Sequence, residues 1–151
     1  MTDLSPDSTP AEVQAAWVKA LRSGEFEQGT ARLASEDVTD GRARYCCLGV
    51  LCELAYRAGV VETRSNPGHG REGTAFLRFV EYDGMVTYPN RRVYEWAGID
   101  GGHGGEGKVR PTAVPIAGAS LAMLNDEERW SFEQIADLIE GGGLVPLDAD
   151  S

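Results

Sequence analysis

The chain has 151 residues, room for one domain that buries about two-thirds of its unfolded-chain surface without a disulfide or metal to hold it. Apolar residues make up 42% and charged residues 25%, which excludes wholesale disorder. Its 24 acidic and 14 basic side chains give a formal net charge of −10, a field that repels phosphate backbones and disfavours non-specific nucleic-acid binding.

Thr9-Pro10-Ala11-Glu12 predicts a helix start, with Thr9 as cap, Pro10 in the first turn and Glu12 closing a capping box. Val13, Ala16, Trp17, Ala20 and Leu21 then form one apolar face, and Gly24 supplies a left-handed stop. Thr30–Leu33 and Arg42–Tyr45 are short strand candidates around Asp40-Gly41. Cys47, Val50, Leu51, Leu54, Ala55 and Ala58 follow helical spacing, widened by Leu48 and Cys52, which predicts a central buried helix ending at Gly59. Residues 64–73 read as a polar loop.

Thr74–Tyr82 and Met85–Tyr88 flank Asp83-Gly84, a two-residue turn signal, so a hairpin is expected over 74–88. Pro89 opens a short helix carrying Val93, Trp96 and Ala97, stopped by Gly98. Gly101–Gly107 is a glycine-dense loop within 100–110, and Pro111 and Pro115 predict an extended stretch after it. Ser120–Asn125 reads as a helical turn or two. Ser131 with Gln134 caps a last helix bearing Phe132, Ile135, Ala136 and Ile139, ended by Gly141–Gly143. The expectation is a single compact α+β domain over 1–151, with four or five helices on a small antiparallel sheet. Residues 1–8 and 147–151 are expected to be flexible.

Three cysteines lie within Cys46–Cys52. At about 100° per residue Cys46, Cys47 and Cys52 point three ways on one helix, so they cannot share a metal, and neither metal nor cofactor is expected. Cys46 at a helix start is a candidate nucleophile, since free amides and the helix dipole there lower a thiol pKa. Its base would have to be His69 or His103, the only histidines, both in glycine-rich loops. Cys46 or Cys47 with His69 or His103 is thus the alternative, a hydrolase or transferase; the plainer reading makes the cysteines small buried hydrophobes.

Gly102–Lys108 matches the G-x₄-G-K part of a phosphate-binding loop, but Val109 stands where a magnesium-binding hydroxyl is required and no strand precedes it. The acidic groups Glu36-Asp37, Asp126-Glu127-Glu128 and Glu133 with Asp137 read as wet faces. Arginines do fall beside aromatics: Arg44 with Tyr45, and Tyr88 with Arg91, Arg92 and Trp96. Forked cations with aromatic platforms suit a phosphorylated base or sugar, which makes these six the ligand-binding candidates. The N-terminus lacks the basic and apolar regions of a secretory signal, and no run approaches the roughly 18 apolar residues of a membrane span. A reducing cytoplasm is the expected location.

Trp17–Gly24, Tyr45–Ala55, Val93–Gly98 and Leu121–Glu140 resemble a group of small uncharacterised proteins of bacteriophages and prophages, particularly of actinobacteria. The most specific pieces are Cys46-Cys47-Leu48-Gly49-Val50-Leu51-Cys52 and Leu124-Asn125-Asp126 followed by Ser131–Ile139. The resemblance implies a genomic setting in which small soluble proteins act on host physiology or defence, and it assigns no residue a role. The expected function is a phage accessory binding protein that sequesters a small nucleotide-like host signal or inhibits a host defence factor. It would be a binder more than an enzyme, with homo-oligomerisation compatible. A module that binds only a host protein is the further alternative.

Overall fold

The computed structural model describes residues 4–37, 39–67, 77–102, 104–116 and 118–147. In chain order these form α1 (Pro10–Arg22), β1 (Glu27–Gln28), β2 (Ala34–Asp37), β3 (Ala43–Tyr45) and α2 (Cys47–Arg57). There follow β4 (Thr63–Pro67), β5 (Leu77–Tyr82), α3 (Arg91–Ala97), α4 (Leu121–Asp126) and α5 (Phe132–Glu140). The expected α+β architecture is present, five helices with a five-stranded sheet among the described residues.

Local chemistry sets the helix ends. Thr9 Oγ1 accepts from Glu12 N at 3.2 Å while the Glu12 carboxylate accepts from Thr9 N at 2.8 Å, and Ser131 and Gln134 repeat the exchange on α5. Asn90 caps α3 and Ser120 caps α4 through their side-chain oxygens. Gly98, at φ 70°, closes α3 in the left-handed region.

The sheet order is β1-β3-β2-β5-β4. It is mixed: β1 runs parallel to β3 and every other pairing is antiparallel. β2 begins at Ala34, just past the expected strand, because Leu33 is already committed. Its N–H donates to Val86 O at 2.7 Å and its carbonyl accepts from Cys46 N at 3.2 Å. Asp83 and Gly84 make the expected tight turn, with φ of 51° and 83° and Tyr82 and Met85 exchanging both backbone bonds. The second arm of that hairpin stops at this one bridge, since the Val86 carbonyl turns to Leu33. β5 pairs instead with β2 and with β4, in register from Thr63↔Tyr82 to Pro67↔Arg78. Residues 63–67 are therefore an edge strand where the sequence reads as loop, and residues 68–76 lie outside the described residues. The stretch after Arg110 bends into turns instead of running extended, with Ala113 N donating to Arg110 O.

α2 is the centre of the core. Cys47, Leu48, Val50, Leu51, Cys52 and Ala55 are wholly buried in one apolar cluster with Val13, Trp17, Val93, Leu121, Leu124 and Ile135. Each buried leucine or valine contributes about 1.5–3 kcal/mol by leaving water, which is how a helix of eleven residues is held without charged partners along its buried face. Gly49 lets α2 approach the backbone at Leu33. The Trp17 indole N–H donates to Cys47 O at 2.9 Å and joins α1 to the start of α2.

That start has a second anchor. Asn125, 1% exposed, accepts from Cys47 N at 3.2 Å and from Gln28 Nε2 at 2.9 Å through Oδ1. Its Nδ2 donates to Gly29 O at 2.9 Å and to Asp126 Oδ1 at 2.7 Å. One amide thus ties β1, α2 and α4 together with no polar atom left over. Arg22 of α1 reaches Glu133, Asp137 and Glu140 along one face of α5.

Candidate functional site

The glycine-dense segment is built around Tyr94. α3 buries Val93, Tyr94, Trp96 and Ala97 and exposes Arg91, Arg92 and Glu95. The Tyr94 ring lies so close to Gly101 that a Cβ there would come within 2.6 Å of it, and its hydroxyl donates to the Gly105 carbonyl. The loop is stapled further by Gly107 N to Gly101 O and Lys108 N to Asp100 O, both 2.9 Å, and by Gly102 N to Asp100 Oδ1 at 2.8 Å. These amides point inward. A phosphate-binding loop needs them free and needs a helix directly behind them, whereas this loop runs into isolated bridges at Lys108 and Val109 and then turns.

Two clefts flank this loop. The first, of about 410 Å³, is walled by Tyr88, Arg91, Tyr94, Asp100 and the glycines, with the exposed side chains of Met85 and Leu147 among its lining residues. The second, of about 320 Å³, holds Glu106, Lys108, Val109, Arg110, Ile116 and Ser120. Gly101, Gly102 and Gly104 line both.

Of the six ligand-binding residues expected from sequence, Tyr88 and Arg91 line the first cleft. Arg92 is exposed on α3 and lines neither cleft. Trp96 is buried, its indole N–H donating to Ser5 O at 2.9 Å, so it tethers the segment before α1 and lines neither of these clefts. Arg44 and Tyr45 sit on β3, Arg44 3.8 Å from Glu27 and Tyr45 edge-on to Phe26 with centroids 5.1 Å apart. Arg110, Met85 and Leu147 were not expected at the site, and Lys108 enters the sequence reading only as the last residue of the phosphate-loop match.

The cysteine reading meets a sealed environment. Cys46 is the N-cap of α2, its sulfur accepting from Gly49 N at 3.3 Å, which is the placement a reactive thiol would use. Burial outweighs that help and pushes its pKa up to about 12, and burial raises Cys47 and Cys52 as well. Cys47 also spends its S–H on the Leu121 carbonyl at 3.7 Å. His69 and His103 lie outside the described residues. Among the described residues no three His, Cys, Asp or Glu side chains gather where a metal ion would fit, and no helix is long and apolar enough to cross a membrane.

Iodoacetamide at about pH 8 is therefore expected to leave all three thiols unlabelled in the folded protein while modifying all three in guanidinium. Fast labelling of Cys46 without denaturant would restore it as a nucleophile. The same burial makes stability fall in alkali. The unfolded chain releases thiol protons from about pH 9 while the folded chain keeps them, so stability is full below that value and declines as pH rises towards 12. Urea midpoints measured across this range read the decline directly.

No curated protein and no solved structure matches the chain. A family model does match residues 10–142, from the first residue of α1 to just past the end of α5, so every helix and strand described above falls within it. The chain belongs to the DUF8296 family, a domain of unknown function.

Proposed function

We propose that the protein is a phage accessory binding protein that takes up a small, phosphorylated, nucleotide-like host signal and so blunts a host defence factor. The Tyr88 cleft carries this reading. Its volume of about 410 Å³ falls within the roughly 300–1,000 Å³ of small-molecule sites. Tyr88, Met85 and Leu147 offer apolar walls for a ring, and Tyr94 and the stapled glycine loop form a wall that is in place before anything binds. Arg91 Nε pairs with Glu95 at 3.2 Å across one helical turn, and at 88% side-chain exposure it can leave that partner at small cost. The phage setting rests on the sequence resemblance. The three thiols, all raised by burial, give the hydrolase or transferase alternative no support.

Native mass spectrometry of the freshly purified protein, set against the same sample after denaturation, tests this. Extra non-covalent mass of nucleotide size is expected, and it should be lost from a folded Tyr88→Ala variant. The same spectrum reads the assembly state. A bare chain whose melting temperature no member of a nucleotide panel raises would overturn the small-ligand reading. That result would favour docking on a host protein, for which the exposed Met85 and Leu147 beside the cleft are the motivating observation.

A further inference from the structure

Taken by itself, the Tyr88 cleft offers the phosphate of the proposed ligand one cation against two carboxylates. Arg91 is its one cation among the described residues, and Glu95 and Asp100 line the cleft with it. Across the glycine loop the balance reverses, with Lys108 and Arg110 against the single carboxylate of Glu106. Arg110 Nε donates to Gly142 O at 2.9 Å and to Leu144 O at 3.1 Å. Those two bonds fix the guanidinium plane by one nitrogen and leave the terminal amino groups to meet an anion already oriented. Lys108 is held loosely, its Nζ 4.0 Å from Asp100 Oδ2, at the outer limit of an ion pair. Asp100 lines the first cleft and Lys108 the second, so this pair bridges the loop. Gly101, Gly102 and Gly104 are common to both clefts, and none of these three presents a side chain to an occupant.

We infer that one ligand lies across the glycine loop, its ring against Tyr88 and its phosphomonoester between Lys108 and Arg110. This assignment rests on the proposed use of the Tyr88 cleft and adds to it the residues that select for charge. Asp100 is the built-in competitor, since the phosphate takes Lys108 from it on binding. A phosphate alone, with no ring to fill the first cleft, is a poor ligand on this geometry.

Calorimetric titration with AMP, adenosine and inorganic phosphate tests the assignment, using the unmodified chain, Lys108→Met and Asp100→Asn. AMP is expected to bind the unmodified chain at least about fivefold more tightly than adenosine, the scale of one exposed ion pair, and inorganic phosphate more weakly than either. Lys108→Met should cut the advantage of AMP by several-fold, leaving what Arg110 contributes, with adenosine unchanged. Asp100→Asn keeps an oxygen for the Gly102 N–H but removes the competing charge, so AMP should tighten by a few-fold with adenosine unmoved; a loosened loop would weaken both. Adenosine and AMP binding equally, or an AMP advantage that is undiminished in Lys108→Met, would overturn this inference and leave the Tyr88 cleft as the ring site. If neither AMP nor adenosine bound at millimolar concentration, the Tyr88 reading would fall and this one with it.

Discussion

Gly49→Ala is expected to destabilise the protein by about 3 kcal/mol or more, although alanine is the better helix former. A Cβ at position 49 would stand 1.7 Å from Leu33 O and 2.6 Å from the Leu33 carbonyl carbon. Both obstacles are backbone, and neither side has room to retreat. Leu33 is wholly buried and bonded at both its N–H and its carbonyl, to Val86 and Cys46. On the helix side, Leu48, Val50, Leu51 and Cys52 are all fully buried. The added methyl must push α2 off the sheet entrance, which opens gaps beneath every one of those side chains. Urea denaturation should show a lower midpoint with an unchanged slope. A loss under about 0.5 kcal/mol would mean that α2 and Leu33 are farther apart than described.

Asn125→Ala is the second large effect, also about 3 kcal/mol. The substitution removes no apolar contact of consequence. Its cost comes from leaving the buried Cys47 N–H and the half-buried Gly29 carbonyl without the partner that Asn125 gave them. Gln28 still reaches the Trp130 carbonyl at 2.7 Å, so β1 keeps one tie and the loss is partial. Asn125→Asp separates polarity from volume. It preserves shape and the acceptor for Cys47 but sets a carboxylate against the Gly29 carbonyl and Asp126, both of which now receive N–H groups. That variant should be as unstable as the alanine at neutral pH and recover in acid, where the protonated carboxyl regains a donor. If Asn125→Ala melted within a degree or so of the unmodified protein, the four bonds would not be holding these elements together.

The features legible in the sequence are those whose cause spans a few residues. Thr9 with Glu12, and Ser131 with Gln134, meet across one turn of backbone, so their capping boxes could be read from spacing alone. Asp83-Gly84 likewise adopts the positive φ values that its residue types favour. β4 has no such signal: Thr63-Arg64-Ser65-Asn66-Pro67 lacks apolar alternation and becomes a strand because β5 offers it an open edge. β1 is two residues long and exists only through its pairing with β3. Tyr88 and Arg91 of the first cleft are near neighbours in sequence and could be grouped from it, while Lys108 and Arg110 line the adjoining cleft where the glycine loop folds back on Tyr94. Trp96 shows the limit of reading a short helix. Both faces of α3 carry aromatic residues, and only packing decides that the indole points to Ser5.

The Asn125 junction also constrains when the protein can fold. Its amide joins Gln28 and Cys47 to α4 across 97 and 78 residues of chain. A nascent chain that has delivered α1, α2 and the whole sheet still lacks the side chain that accepts from the first N–H of its central helix. The α5 face that answers Arg22 comes later still. Closure must therefore wait until α4 and α5 have left the ribosome. Until then the apolar surface of α2 stands partly uncovered, a substrate for chaperones or for a neighbouring nascent copy.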